Sequence, residues 1–552
     1  QNTDPGSIDD PELDAVISVA LEKDRDRRYS SCDDFVADLE SATSASAVSR
    51  PSPTVAGRKG LAPLYIGLTS LLVLLLVIVS WRLTQTSPSD DIHAVAVLPL
   101  INSSGNPDQE FLADGVTSAV INELSKIGTL KVIARQSVMR FKNSQLTLRE
   151  IADDLGVDAI VSGNVIRAGD RIHISAELVR ATSEENIWAD SFDERFENVL
   201  ALHSRLARDI ARQINVSQTI TDKVFPGSSR TVDPQAYEAY LRGRHHVYML
   251  SQADAEAALE YFRTSLAIDS TFADAHAGVA LAFTALNQMN AMDPSKAISE
   301  IETALDRAAE LDSTLALVYY TRALIDTWGR WDWDSALDNF DRTLDLNPNY
   351  GEAHAYFAHL LYILRRGDEG MPHAERSVEL DPHNSLFRSL YGDALLFEGD
   401  AEAAAEQFRL SQQTAPRSFV NFNGLNWAYA ALERFEDANL QRIRKYEAAE
   451  DPEMVAALQT GFAAGGYRTA SLRAATILAA RAESTFVGPI QIQRLYTDAG
   501  EAELSLDWLQ HGFDAHEPGM PYIGVIPDAA VLRQSERYPN MLRKMKLEMW
   551  IE

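Results

Sequence analysis

The chain has 552 residues, too many for a single hydrophobic core, so three or more domains are expected. Its 80 acidic residues outnumber 50 basic ones and leave a net charge of -30, which excludes a nucleic-acid partner because phosphate binding needs clustered Lys and Arg. Cys32 is the only cysteine, which excludes an intramolecular disulfide and a Cys-rich zinc site.

Leu13, Val16, Ile17, Ala20 and Leu21 follow the i, i+3, i+4 spacing of an amphipathic helix that opens at Pro11. A second short helix is predicted over 32–39, with Ser30 or Ser31 as N-cap and Asp33 and Asp34 in its first turn. Two such helices cannot bury their apolar faces alone, so a covering segment upstream of Gln1 is expected. Residues 13–31, followed by Phe35, Ala37, Asp38 and Leu39, resemble the last two helices of bacterial serine/threonine protein kinases, whose pattern runs roughly A-L-x-K-D-P-x-x-R-Y-x-S. Arg28 matches the family's structural arginine, the partner of the A-P-E glutamate, while Arg25 replaces the usual proline. The resemblance implies that residues 1–40 are the α-helical tail of a kinase C-lobe. The Gly-rich loop, the V-A-I-K lysine, H-R-D and D-F-G would all precede it, so the chain is expected to contain no catalytic, cofactor-binding or metal-binding residues. ATP and Mg enter only with an intact kinase domain upstream.

Residues 41–60 are small, polar and Pro-containing, a juxtamembrane linker. Residues 61–81 carry no charge, and 71–79 are nine consecutive aliphatics. As a helix the stretch would extend roughly 31 Å at 1.5 Å per residue, near the ~30 Å thickness of the hydrocarbon layer. A single transmembrane helix is predicted over 61–82. Arg50, Arg58 and Lys59 precede it and only Arg82 follows closely, which places the N-terminus in the cytoplasm and residues 83–552 outside it, across the inner membrane. The span has no GxxxG motif.

Residues 84–216 read as a small α/β domain with a mixed sheet. The apolar run 94–100 predicts a strand, 102–107 a turn, and the period from Gln109 onward a helix. A strand at 130–134 and a helix at 146–155 closed by Gly156 follow. Three strands at 159–166, 171–179 and 186–192 lead into a helix at 198–216. The order β-α-β-α-β-β-β-α predicts helices covering one face of the sheet. The runs Ala96-Val-Leu-Pro-Leu100, Phe111-Leu-Ala-Asp-Gly115, Val132-Ile-Ala-Arg135 and Gly163-Asn-Val165, in that order, resemble TolB-like and FlgO-like domains of bacterial envelope proteins. That resemblance implies a docking domain without chemistry of its own. His93, His173 and His203 are scattered, Asp114-Gly115 fits a structural role better than ligand binding, and Arg135 fits an anion site and an edge-strand salt bridge equally.

Residues 233–552 are dominated by a 34-residue period. Pro348, Pro382 and Pro416 are 34 apart; Ala336, Gly370 and Ala404 lie 12 before them, and Phe340, Ala374 and Phe408 lie 8 before. With Ala358 and Gly392 at the close helix contact, these are tetratricopeptide positions, and an all-α superhelix of seven or eight units with a C-terminal cap is predicted. A protein or peptide ligand is expected on its concave surface. Trp328, Trp331 and Trp333 at the turn of the third unit are candidate partner anchors, although packing under the next hairpin suits them better. His354 and His359, five apart, have the wrong spacing for two metal ligands on one helical face.

The multidomain sequence therefore reads as the extracytoplasmic sensor and scaffold portion of a membrane-anchored bacterial serine/threonine kinase. Coupling would run through a homodimer or a reorientation of the kinase. The alternative is a non-catalytic envelope scaffold with a vestigial kinase remnant.

Overall fold

The computed structural model describes residues 91–225, 231–247, 251–288, 292, 294–525 and 532–551, all within one compact unit, Ser89–Glu552. Arg28 with the kinase-like tail, the linker and the span at 61–82 lie outside these residues. Among the described residues no helix is long and apolar enough to cross a membrane.

The first part is a six-stranded mixed sheet. Strand β1 (Ala94–Val97) and the short β2 (Ile101–Asn102) precede α1 (Glu110–Ser125), β3 (Lys131–Val132), α2 (Arg135–Met139) and α3 (Leu148–Leu155). Then come β4 (Ala159–Ala168), β5 (Arg171–Arg180), β6 (Asn186–Arg195), α4 (Val199–Gln213) and α5 (Gln218–Val224). The lateral order is β3-β1-β4-β5-β6, with β2 beside β4; β1 runs parallel to β3 and β4, and β4 to β6 form an antiparallel meander.

Local chemistry explains several boundaries. Thr147 and Glu150 form a capping box that starts α3, and Gly156 ends it at φ 61, a left-handed conformation that glycine adopts without strain. The expected one-sided cover needs correction. All four residues of β1 are buried, so both faces of the sheet are covered there. The crossovers β1-α1-β3 and β3-α3-β4 run in opposite directions across the sheet, and right-handedness then puts α1 and α3 on opposite faces. Toward the antiparallel edge the cover is one-sided: Ile172, Ile174, Ala176 and Leu178 alternate inward along β5.

The rest is a tetratricopeptide-type superhelix of eight helical hairpins among the described residues. They pair α6 (Pro234–Val247) with α7 (Gln252–Ile268), α8 (Ala273–Gln288) with α9 (Pro294–Leu311), and α10 (Ala316–Leu324) with α11 (Trp333–Leu346). Next come α12 (Gly351–Ile363) with α13 (Gly367–Leu380), α14 (Ser385–Phe397) with α15 (Ala401–Thr414), and α16 (Phe419–Ala431) with α17 (Phe435–Ala448). Helix α18 (Pro452–Ala482) is a seventh hairpin folded at Gly465 and Gly466, where φ of 71 at Gly466 breaks the helix. Helices α19 (Pro489–Ala499) and α20 (Ala502–Asp514) are the eighth, and α21 (Arg537–Lys544) belongs to the C-terminal segment.

In two of the second helices a phenylalanine is a wedge. The Phe408 ring lies between Gly392 and Gly424, and a Cβ at Gly392 would come within 2.9 Å of it. Phe262 fills the same place between Gly243 and Gly278. Each proline of the 34-residue period sits two residues past a helix end, at Leu346, Leu380 and Thr414.

Candidate functional site

The first helices of successive hairpins turn one face toward the inside of the curve, and the array bends far enough for early units to meet the C-terminal segment. His359 of α12 accepts at Nδ1 from the Tyr522 hydroxyl at 3.0 Å and donates from Nε2 to the Leu390 carbonyl at 3.0 Å. Burial pushes this imidazole down to about 4, which keeps it neutral and in that tautomer.

The three tryptophans belong to this closure. Trp331 and Trp333 are buried, and Trp328 packs edge-on against Tyr356 at 5.4 Å. The Trp331 ring stacks on His516 at 4.3 Å, and Trp333 Nε1 donates to the Met545 carbonyl at 2.7 Å. From the other side Trp550 Nε1 donates to the Ile363 carbonyl at 2.8 Å, and Arg365 donates to the Met549 carbonyl at 2.6 Å. The surface expected to offer tryptophan anchors to a ligand is therefore occupied by the C-terminal segment of the same chain. A π-helical turn at Ile325–Arg330 and φ of 57 at Trp331 aim the indoles at that segment.

A second set, which sequence reading missed, comes from first helices and lies partly beside Tyr522 of the C-terminal segment. Glu352 and Tyr356 come from α12, Asp393 from α14, Trp427 from α16 and Arg494 from α19. Desolvation pushes the Glu352 carboxyl up to about 7. Asp393 is likewise pushed up to about 7 by desolvation, against the attraction of Arg494. The Arg494 guanidinium lies over the Trp427 ring at 4.2 Å. No sequence motif marks these residues; the only signal is that they sit on first helices of units already in register.

The residues weighed in the α/β part are structural. Asp114 pairs with Lys142 at 2.6 Å, and a Cβ on Gly115 would lie 2.7 Å from Leu241 of α6, so the Asp-Gly step lets the repeat array approach α1. Arg135 Nε donates to Ser118 at 2.9 Å. His203 is buried and pushed down to about 4 by desolvation. His354 donates from Nε2 to the Pro348 carbonyl at 3.0 Å and accepts at Nδ1 from His373 at 2.7 Å. Among the described residues no group of three His, Cys, Asp or Glu could hold a metal ion.

Residues 91–209 match the HilA/YgeH-like transcriptional regulator second-domain family. This covers the stretch read above as TolB-like, under a different family description, and less than half of the chain. A curated protein of Rhizobium meliloti (strain 1021), "Putative adenylate cyclase 3", is 32% identical over 239 residues, 43% of this chain and 40% of that protein. The chain thus spans less than half the length of this relative. Among solved structures, the tetratricopeptide protein YrrB, described as having an unusual peptide-binding site, is 23% identical with a TM-score of 0.26, covering 34% of this chain and 93% of its own. Pseudomonas aeruginosa pilF is 19% identical with a TM-score of 0.31, covering 40% and 98%.

Proposed function

We propose that the chain is the membrane-anchored, ligand-binding portion of a bacterial serine/threonine kinase, and that it binds a protein or peptide outside the cytoplasm on the inner face of its repeats. The observation that supports the binding role is the meeting of Asp393, Trp427 and Arg494, from first helices of three hairpins, with the Arg494 guanidinium over the Trp427 ring at 4.2 Å. Trp, Tyr and Arg are the side chains that dominate the energy of protein interfaces, and a concave repeat surface lets several of them meet one extended chain. The kinase and membrane roles are supported by the sequence pattern around Arg28 and by the charge-free stretch 61–81. The regulator and cyclase names among the relatives fit a sensory module that is joined to different outputs.

Selection of a random dodecapeptide library on the full chain tests the binding role. Enrichment of a family of sequences is expected, and failure of any peptide to enrich overturns the role. A reporter enzyme fused after residue 216 tests the topology. Reporter activity confined to the cytoplasm would overturn the extracytoplasmic placement.

A further inference from the structure

Strand β6 is one outer edge of the sheet, and among the described residues no strand pairs with its far side. The other edge, β3, has two residues, too few to template a neighbour, whereas β6 has ten. The Phe196 amide donates to the Asp170 carbonyl at 2.8 Å, one step past the pair Arg171–Arg195, so the even-numbered residues from Trp188 to Glu194 carry the bonds to β5. The amides and carbonyls of Ala189, Ser191 and Asp193 therefore point away from the sheet, and all three residues are exposed. The Ser191 amide is held only by the carboxylate beside it, Asp190, at 2.7 Å. Edge strands are usually blunted by Pro, Lys, a bulge or a covering element. Residues 188–195 contain neither Pro nor Lys, and the bulge lies at the start of the strand, where Ile187 is the extra residue opposite Leu178 and Val179.

We propose that β6 pairs antiparallel with β6 of a second copy of this chain, about a two-fold axis at Ser191, so that the two sheets become one. In this register Ser191 bonds to itself across the axis and Ala189 bonds to Asp193 on either side, about six backbone hydrogen bonds. On the face that α4 covers, Trp188 stands opposite Glu194 and Asp190 opposite Phe192, so no like charges meet directly. Moving the axis to Phe192 would set Asp190 against Glu194, and moving it to Asp190 would set that carboxylate against its own copy. Asp193 and Glu194 are neutralised within each copy by Arg171 and Arg205, at 2.8 and 2.9 Å. Charge complementarity at the two ends selects a second copy over an unrelated strand. Arg195, exposed and 3.6 Å from Glu197, closes one end of β6, and the exposed Glu184 and Glu185 lie in the turn that opens the other. Antiparallel pairing brings each Arg195 toward the other copy's acidic turn. The cost is at Asp190, which must release the Ser191 amide and meets its own copy on the diagonal.

Sedimentation of the full chain in detergent tests the pairing. The parent should have the mass of two copies, and Ser191→Pro, which removes an amide that β5 does not use, the mass of one. The register is read with single cysteines in a Cys32→Ser chain, where no other thiol remains. Residues that bond across an antiparallel pair have Cα atoms about 5.5 Å apart, within the roughly 4.4–6.8 Å that a disulfide spans, so Ser191→Cys should give a covalent dimer on mild oxidation. Asp193→Cys, about 14 Å from its own copy, should not. Asp190→Ala removes both the competitor for the Ser191 amide and the diagonal repulsion, and should tighten the dimer about twofold to fivefold, the range of a cross-strand pair. A monomeric parent overturns the pairing and leaves the edge to a strand of another protein. A dimer that Ser191→Pro leaves intact, or covalent dimers that form equally at 191 and 193, overturn it in favour of another surface.

Discussion

Asp393 has no hydrogen-bond partner among the described residues and keeps its proton to about pH 7 when folded, against 3.8 for the free side chain. A carboxyl whose folded pKa is raised contributes stability that is fully present below the unfolded value and is lost as pH rises through the folded one. Asp393→Asn removes this loss. The advantage of the variant over the parent in urea midpoint should be larger at pH 8 than at pH 4.5; an equal difference at both values would show that Asp393 does not titrate in this window. His203, His354 and His359, each pushed down to about 4, work in the opposite sense: their contribution is present above 6.5 and lost as pH falls through about 4. Between pH 4 and 7 the two sets oppose one another, so removing Asp393 also exposes the histidine slope. Trp333 permits a test independent of pH. Trp333→Phe keeps most of the buried ring and strands the Met545 carbonyl, at a cost of about 1–2 kcal/mol, measurable by urea unfolding.

At the scale of elements, the wedge of Phe408 between Gly392 and Gly424 sets how closely successive hairpins approach. A Cβ on Gly424 would overlap the ring, which has no room to move between two helices. Gly424→Ala should therefore destabilise the chain by about 1–3 kcal/mol, although alanine favours helix; a stabilised variant would mean that the ring is not confined. This close packing is the part most legible in the sequence, because Gly392, Phe408 and Pro416 recur with a fixed period and need only neighbours in the chain. Gly156 and the alternating strands of the meander were legible for the same reason. Helices α2 and α5 were not: the residue before α2, Ala134, has no side chain to cap it, and five residues give too little period to read. The unit at 455–481 was legible only as a degenerate repeat, because apart from Gly465 and Gly466, where α18 folds, its residues form one continuous helix-forming run. Arg494 and Trp427 meet through the curvature of the whole array, and nothing near either residue announces the other.

The missing caps are supplied from the other part of the molecule. Asn349, in the turn after α11, donates its amide to the carbonyls of Ser125, Ile127 and Leu130 at 3.1, 3.1 and 2.8 Å and so closes the C-terminal end of α1. Asp381, in the turn after α13, accepts the Ser137 amide at 2.9 Å and the Ser137 hydroxyl, filling the place of an N-cap for α2. The Ala134 amide donates to the Leu380 carbonyl at 2.8 Å, and Asn384 donates to Gln136 at 3.0 Å. The prolines that mark the repeat in sequence thus stand beside residues that hold the α/β part, and the two parts are tied by buried polar groups. Removing one clamp leaves buried groups without partners, about 2–3 kcal/mol for Asn349→Ala and a similar amount for Asp381→Ala. Each single variant should still unfold with the α/β part and repeats in one transition, because the other clamp remains. The double variant should separate them into two transitions, with faster amide exchange in α1, β3 and α2 and unchanged exchange in α16 and α17. A double variant that unfolds in one step at the parent midpoint would show that apolar contact alone, such as Gly115 against Leu241, joins the two parts.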